Sequence, residues 1–224
     1  MGDRKFLIFD AGPIISLTMN GLLDVLEKLK KDFKGEFIIT PQVKAEVIDR
    51  PLKIKKYELE GVKVKSLLDK GVLRLSSDFI ANSRLNKEVV RIQNIANSIF
   101  RAEDKITLIH DGEASCLAFS RLCSCDSLIV IDERTTRMLS EAPEKLKGLM
   151  QKKLHMDIIV NEKSLREFGK FKFIRSAEVL YVAYKKNLFD LKKDKLLLDA
   201  LLYGVKFKGA AISSREINEI KSLD

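Results

Sequence analysis

"KFLIFDAGPIISL" occupies residues 5–17. Four apolar residues, Phe6 to Phe9, run without alternation into a carboxylate, Asp10. A continuous apolar run of this length reads as a strand buried on both faces, the kind found in parallel sheets. A turn-forming Gly12-Pro13 pair follows, and then a second apolar stretch. Asp10 therefore has two readings. Either it opens a turn, or it belongs to a site at the tip of the strand.

The pattern recurs downstream. "SLIVID", residues 127–132, is again apolar and again ends on an acid, Asp132, with "ERTTRML" starting a helix directly after it. "EFIIT", residues 36–40, is a third short strand. Thr40-Pro41 reads as a helix N-cap followed by a proline at the first helical position, so a helix starts there and carries Glu46. Pro51 ends that helix or bends the chain. "VLRLSS" and "MDIIVN" read as further strands. "LLDVLEKLKK", the 55–70 stretch closed by Gly71, and "NKEVVRIQNIANSIF" read as helices. Strands alternating with helices imply a parallel sheet with right-handed crossovers. Past residue 163 the chain reads as mostly helical. "DKLLLDALLYGVKFKG" and "SSREINEIKSL" form a pair of helices, the second opened by a Ser213/Glu216 capping box.

Composition sets the outer limits. Hydrophobic residues make up 46% of 224, enough for a sizeable core, and 33% are charged. The net charge of +9 gathers polyanions such as nucleic acid, although a basic surface alone is a weak warrant. Abundant Lys, Glu, Ile and Leu suit a heat-adapted, thermophilic or archaeal source. No apolar run reaches the length of a membrane span, and Asp10 interrupts the only leader-like stretch, so a cytoplasmic protein is expected. Three cysteines cannot pair completely, which fits a reducing compartment. Cys116, Cys123 and Cys125 with His110 match no zinc spacing and read as small core residues.

The acids form a set. Asp10 and Asp132 end buried strands, at the edge where parallel α/β sheets bind ligands. Glu46 follows the 36–40 strand, and Glu113 lies in the first turn of the helix before the Asp132 strand. Taken singly, each has an ordinary role: macrodipole pairing for Glu113, N-capping for Asp111, solvation for Glu46 and a turn for Asp132. Taken together, four like charges on one edge repel unless a cation neutralises them. Hard divalent cations such as Mg²⁺ or Mn²⁺ do so with oxygen ligands.

"FDAGPIISL", "TPQVKAEV", "IHDGEASCLAFS" and "IDERTTRML" together resemble the PIN domain, in order and context, over roughly residues 5–160. The ending "LLLDALLYGVKFKGAAISSREINEI" is similar to the helical tail of a prokaryotic PIN-related subgroup. The resemblance implies a three-layer α/β fold with a central parallel sheet flanked by helices. It implies a nuclease domain over 1–162, with a helical elaboration at about 51–105, and a helical C-terminal extension over 163–224. By position, Asp10, Glu46, Glu113 and Asp132 match the family's four acids, with Asp10 and Asp132 as principal metal ligands. Asp111 and Glu133 are auxiliaries, and Ser16 lies near a small polar position in the first helix. Many PIN domains place a hydroxyl residue two positions before the fourth acid, where this chain has Val130.

The activity implied is Mg²⁺- or Mn²⁺-dependent hydrolysis of phosphodiester bonds in single-stranded RNA. Arg134 and Arg137 would touch the RNA backbone, or equally sit as solvated helix residues. Toxins with an antitoxin partner and homodimers occur in the family. Two rival readings stand beside this one: a catalytically idle PIN-like scaffold binding RNA or protein, and a DNA-binding protein that uses the C-terminal helix pair.

Overall fold

The computed structural model describes residues 4–101, 106–123 and 126–223. The opening apolar run forms β1 (Lys5–Phe9), and the chain enters α1 (Ala11–Met19) directly after Asp10. Gly12-Pro13 is thus not a turn between two apolar runs but lies in the first turn of α1. Proline is tolerated there because the N–H it lacks has no intrahelical partner. The next elements are α2 (Asp24–Asp32), β2 (Glu36–Ile39) and α3 (Pro41–Lys44). Thr40 caps α3, its hydroxyl accepting from the Val43 N–H at 3.2 Å.

Beyond α3 the helix widens by one residue over Ala45–Asp49, where the Arg50 N–H donates to the Ala45 carbonyl at 2.9 Å, five residues back. Pro51, which has no N–H to continue an α-helical ladder, follows immediately. Short 3₁₀ turns then lead to α4 (Glu58–Asp69) and β3 (Leu73–Leu75). The rest of the first half is α5 (Asn82–Asn97) and β4 (Phe100–Arg101).

The second half runs α6 (Asp111–Cys123), β5 (Asp126–Val130), α7 (Arg134–Glu141), α8 (Pro143–Leu154), β6 (Ile159–Val160), α9 (Glu162–Phe168), β7 (Phe173–Ile174), α10 (Ser176–Lys185), α11 (Lys195–Phe207) and α12 (Ser214–Lys221). The Ser213/Glu216 capping box opens α12 as expected.

Five strands form one parallel sheet in the order β3-β2-β1-β5-β7. β1 is central, with Ile8 opposite Ile38 on one side and Phe9 opposite Val130 on the other. Helices flank the sheet, and its Val, Ile, Leu and Phe residues are buried. Edge-to-face contacts of Phe9 with Phe37 and of Phe6 with Phe119, each at 5.4 Å, bind strands to neighbouring strand and helix.

Two expectations need correcting. The strand read from "MDIIVN" does not extend the parallel sheet. Only Ile159 and Val160 pair, antiparallel to β4 and outside the main sheet. The region past residue 163 is mostly helical, as read, but it is not only a helical extension. It supplies the edge strand β7, in which Phe173 and Ile174 pair with Ile129 and Val130, so the sheet spans the 162/163 division. A two-residue strand is too short for an apolar pattern to reveal. The "helical elaboration" at 51–105 likewise contributes β3 to the opposite edge.

The strand order reverses at β1, whose successors lie on one side and β5 on the other. In open parallel sheets, the carboxyl ends of the strands at such a reversal border the ligand crevice. Asp10 and Asp132 follow those two strands. Among the described residues, no helix is long and apolar enough to cross a membrane.

Candidate functional site

Asp10 is held where β1 ends. Its backbone N–H donates to the Val130 carbonyl at 3.0 Å, and its side chain is buried. Burial pushes its carboxyl up to about 7. The charges of Glu113 and Glu46 add to the shift, and the amides of Ala11 and Gly12 oppose it. The turn-residue reading therefore misses its environment: Asp10 is a buried acid among acids.

Glu113 sits in the first turn of α6 and is also buried, its Oε2 accepting from the His110 N–H at 3.0 Å. Burial pushes it up to about 7 as well, with Glu133 and Glu46 contributing. Glu46 is half-buried on the widened turn. Its carboxyl is raised, first by burial and then by Asp111, against a lowering influence from Arg50.

The meeting point is Gly112. A β-carbon there would lie 3.0 Å from Glu46 Oε1 and 3.4 Å from Asp10 Oδ1, so the missing side chain leaves room for both carboxylates. A chain of small groups fixes the elements that carry the acids. The Ser115 hydroxyl donates to the Gly112 carbonyl at 2.6 Å, so the Thr40 hydroxyl donates to Ser115, also at 2.6 Å. Thr40 starts the helix of Glu46, and Ser115 lies one turn past Asp111 on the helix of Glu113. The Cys116 thiol donates to the Phe9 carbonyl at 3.6 Å, tying α6 to the strand of Asp10. Burial and the nearby Asp10 and Glu113 push that thiol well up, which keeps it protonated as a donor. Cys123 is half-buried, and Cys125 lies outside the described residues.

Asp132 is buried beside this group but differently engaged. Its Oδ1 accepts from the Ser176 N–H at 2.8 Å and from the Ser176 hydroxyl at 2.9 Å, and its Oδ2 lies 2.8 Å from that hydroxyl. Burial raises its carboxyl. Ser176 opposes the shift, the Glu178 charge adds to it and the Arg137 charge lowers it. Asp10, Glu46 and Glu113 act on one another, while Asp132 is bound to the start of α10 and still lies beside Asp10: a β-carbon on Gly12 would sit 3.7 Å from Asp10 Oδ2 and 3.8 Å from the Asp132 β-carbon.

The auxiliaries divide in the same way. Glu133 caps α7, accepting from the Thr136 N–H at 2.7 Å, and its charge acts on Glu113. Asp111 accepts from Gln93 at 2.6 Å and acts on Glu46. Ser16 is buried, with its hydroxyl directed to the Val205 carbonyl at 3.5 Å and not to the acids. Arg134 is exposed on a groove of about 670 Å³ that reaches Glu113 and Glu133 and is also lined by Lys153 and Met138. Arg137 is half-buried and reaches the Ala211 carbonyl at 3.3 Å, which ties α7 to the loop before α12.

Compared with family models, curated proteins and solved structures, this chain matches none. The site stands on its own geometry. Among the described residues, no three His, Cys, Asp or Glu side chains are drawn into a ready coordination group. The donor set nevertheless fits a hard divalent cation. It consists of partly desolvated, mutually repelling carboxylates, of which Asp10 and Glu46 place oxygens beside Gly112. Thr136 adds a buried hydroxyl against Glu113, where it opposes the rise of that carboxyl.

Sequence reasoning missed Thr136, Ser176 and Gly112. Thr136 had a signal, as the N3 residue after a capping Glu133. Ser176 had none, because it depends on β7. Gly112 was seen only as part of the helix start.

Proposed function

We propose that this chain is a PIN-like, Mg²⁺- or Mn²⁺-dependent ribonuclease that hydrolyses phosphodiester bonds in single-stranded RNA. The observation that carries this reading is the convergence of Asp10 and Glu46 oxygens on the space beside Gly112, with Glu113 in electrostatic contact with both. Buried acids with no basic partner destabilise a fold unless they serve a ligand.

Asp10, Glu46 and Glu113 would hold the ion. A bound divalent cation would supply charge neutralisation at the phosphate and a water of lowered pKa. Asp132 acts as a brace, tying the end of β5 to α10 so that the strand tip beside Asp10 is fixed. Arg134 and Lys153 line the groove that leads away from Glu113, where they suit a phosphate backbone. The net charge of +9 agrees with a polyanionic substrate.

The test is cleavage of labelled single-stranded RNA with Mn²⁺, with EDTA, and by Asp10→Asn. Metal-dependent cleavage by the wild type that Asp10→Asn abolishes supports the enzyme. RNA binding without cleavage in any divalent cation supports the idle scaffold instead.

A further inference from the structure

The run between β5 and α7, residues 131–133, is held by the C-terminal part of the chain. The Ile131 N–H donates to the Ile174 carbonyl at 2.9 Å, and Ser176 binds the Asp132 carboxylate. The Asp132 carbonyl accepts from the Ala211 N–H at 3.1 Å. Arg137 completes the set. Its Nε donates to the Glu133 carbonyl at 3.4 Å and its Nη2 to the Ala211 carbonyl at 3.3 Å. One guanidinium thus joins the start of α7 to the loop before α12. That loop is itself anchored, because Ala210 and Ile212 on either side of Ala211 are buried. Beyond it, the Arg175–Glu216 pair fastens α12. What the run carries matters to the acids. Burial dominates the Glu113 carboxyl, but Glu133 acts on it by charge and Thr136 by its hydroxyl.

We infer that Arg137 is a positioning residue: through Ala211 it sets Glu133 against Glu113, so that the C-terminal segment governs how tightly the acids hold a divalent cation. The inference rests on the metal site of the ribonuclease reading. Two features carry it. The Arg137 hydrogen bonds go to backbone carbonyls on both sides of the junction, which makes its role geometric. Glu133 caps α7 through the Thr136 N–H, so releasing the guanidinium shifts Glu133 and Thr136 together. Charge and position then predict opposite signs. A guanidinium acting only as a nearby positive charge would repel a cation, and its removal would tighten binding. A guanidinium that holds Glu133 in place strengthens binding, and its removal loosens it. Groups behind metal ligands commonly contribute about tenfold or more to affinity.

The experiment measures the Mn²⁺ affinity of the full chain by calorimetry, with Tm recorded for every variant. Arg137→Gln should weaken Mn²⁺ binding about tenfold. Arg137→Lys, whose ammonium replaces the fork by a single head, should recover part of the loss. In a Glu133→Gln background, Arg137→Gln should change the affinity no further. Unchanged or tighter binding by Arg137→Gln overturns the inference. So does an equal loss in both backgrounds, which a general loosening of the fold would give. Should Arg137→Gln not fold, Arg137→Lys in the two backgrounds decides by the same comparison. Cleavage of single-stranded RNA is assayed on the same samples. Coupled Mn²⁺ binding without cleavage upholds the positioning role and overturns the ribonuclease. Cleavage without that coupling overturns the positioning role alone. A wild type that binds no Mn²⁺ overturns both.

Discussion

Asp132 and Ser176 are joined twice: the serine N–H and its hydroxyl both donate to the carboxylate, at 2.8 and 2.9 Å on Oδ1. The acid that the PIN resemblance ranks with Asp10 as a principal ligand is, in this fold, the partner of a helix start. Its backbone is engaged as well, since the Ala211 N–H donates to the Asp132 carbonyl at 3.1 Å.

Ser176→Ala removes the hydroxyl and leaves a buried carboxylate with one donor fewer. Stability should fall by about 1–3 kcal/mol. Urea unfolding at pH 8 measures it. A loss below about 0.5 kcal/mol would show that the hydroxyl contributes nothing beyond the backbone amide.

Gly112→Ala tests the shared space beside the acids. Alanine favours a helix over glycine by about 1 kcal/mol, so metal-free stability should hold or rise. The added methyl would crowd Glu46 and Asp10, so the rise in Tm on adding Mn²⁺ should shrink sharply. Equal Mn²⁺ stabilisation of variant and wild type would place the ion elsewhere.

The pH dependence of the metal-free protein follows from Asp10 and Glu113, both raised to about 7 in the fold. A raised carboxyl costs stability only when it is forced to ionise. The cost is absent below the unfolded values near 4 and grows as pH rises from about 4 to about 7. Melts in EDTA should therefore show a lower Tm at pH 8 than at pH 5.5, and Asp10→Asn should flatten the difference. A Tm that climbs across this range would contradict the burial of these acids in their charged form.

Arg175 anchors the tail. It pairs with Glu178 and, at 2.5 Å, with Glu216, while its own side chain is only 10% exposed. Burial alone would raise Glu216, but Ser213 and Arg175 outweigh it and hold the carboxyl down at about 2. This contribution is present above the unfolded value and is lost as pH falls from about 4.5 to about 2. Arg175→Met should cost about 1–3 kcal/mol at neutral pH, discounted for the half-exposed Glu216. The penalty should narrow in melts near pH 3. A penalty independent of pH would assign the effect to packing.

RNA affinity should fall steeply with salt, and Arg134→Ala should reduce the slope of log affinity against log salt by about 0.7. Anisotropy titrations between low and physiological salt give both numbers. An unchanged slope would remove Arg134 from the backbone contacts.

The strands that carry the acids were legible because a fully buried parallel strand is written as an unbroken apolar run. Residues 6–9 and 127–131 gave both the centre of the sheet and the acids at its tips. Thr40-Pro41 fixed the start of α3 for an equally local reason, a cap and a preset φ. What lay out of reach was non-local. The widening of the helix at Ala45–Asp49 sets where Glu46 points, and no sequence period records it. The pairing of Asp132 with Ser176 depends on β7, whose two paired residues carry no pattern. Ser16 is polar at an apparently suitable position, yet the packing of α11 turns its hydroxyl away from the acids.

The parallel pairing of Phe9 with Val130 has a consequence for the order of assembly. Asp10 and Glu113 cannot meet until α6 has been made, and β5, which lies against β1 on the side away from β2, is made later still. Closing so long a loop is slow, and non-local pairings of this kind form late in folding. Asp132 is then secured only by residues 176 and 211, later still. On the ribosome, the β1–β2 pairing could draw Asp10 and Glu46 together while Glu113 and Asp132 had yet to emerge.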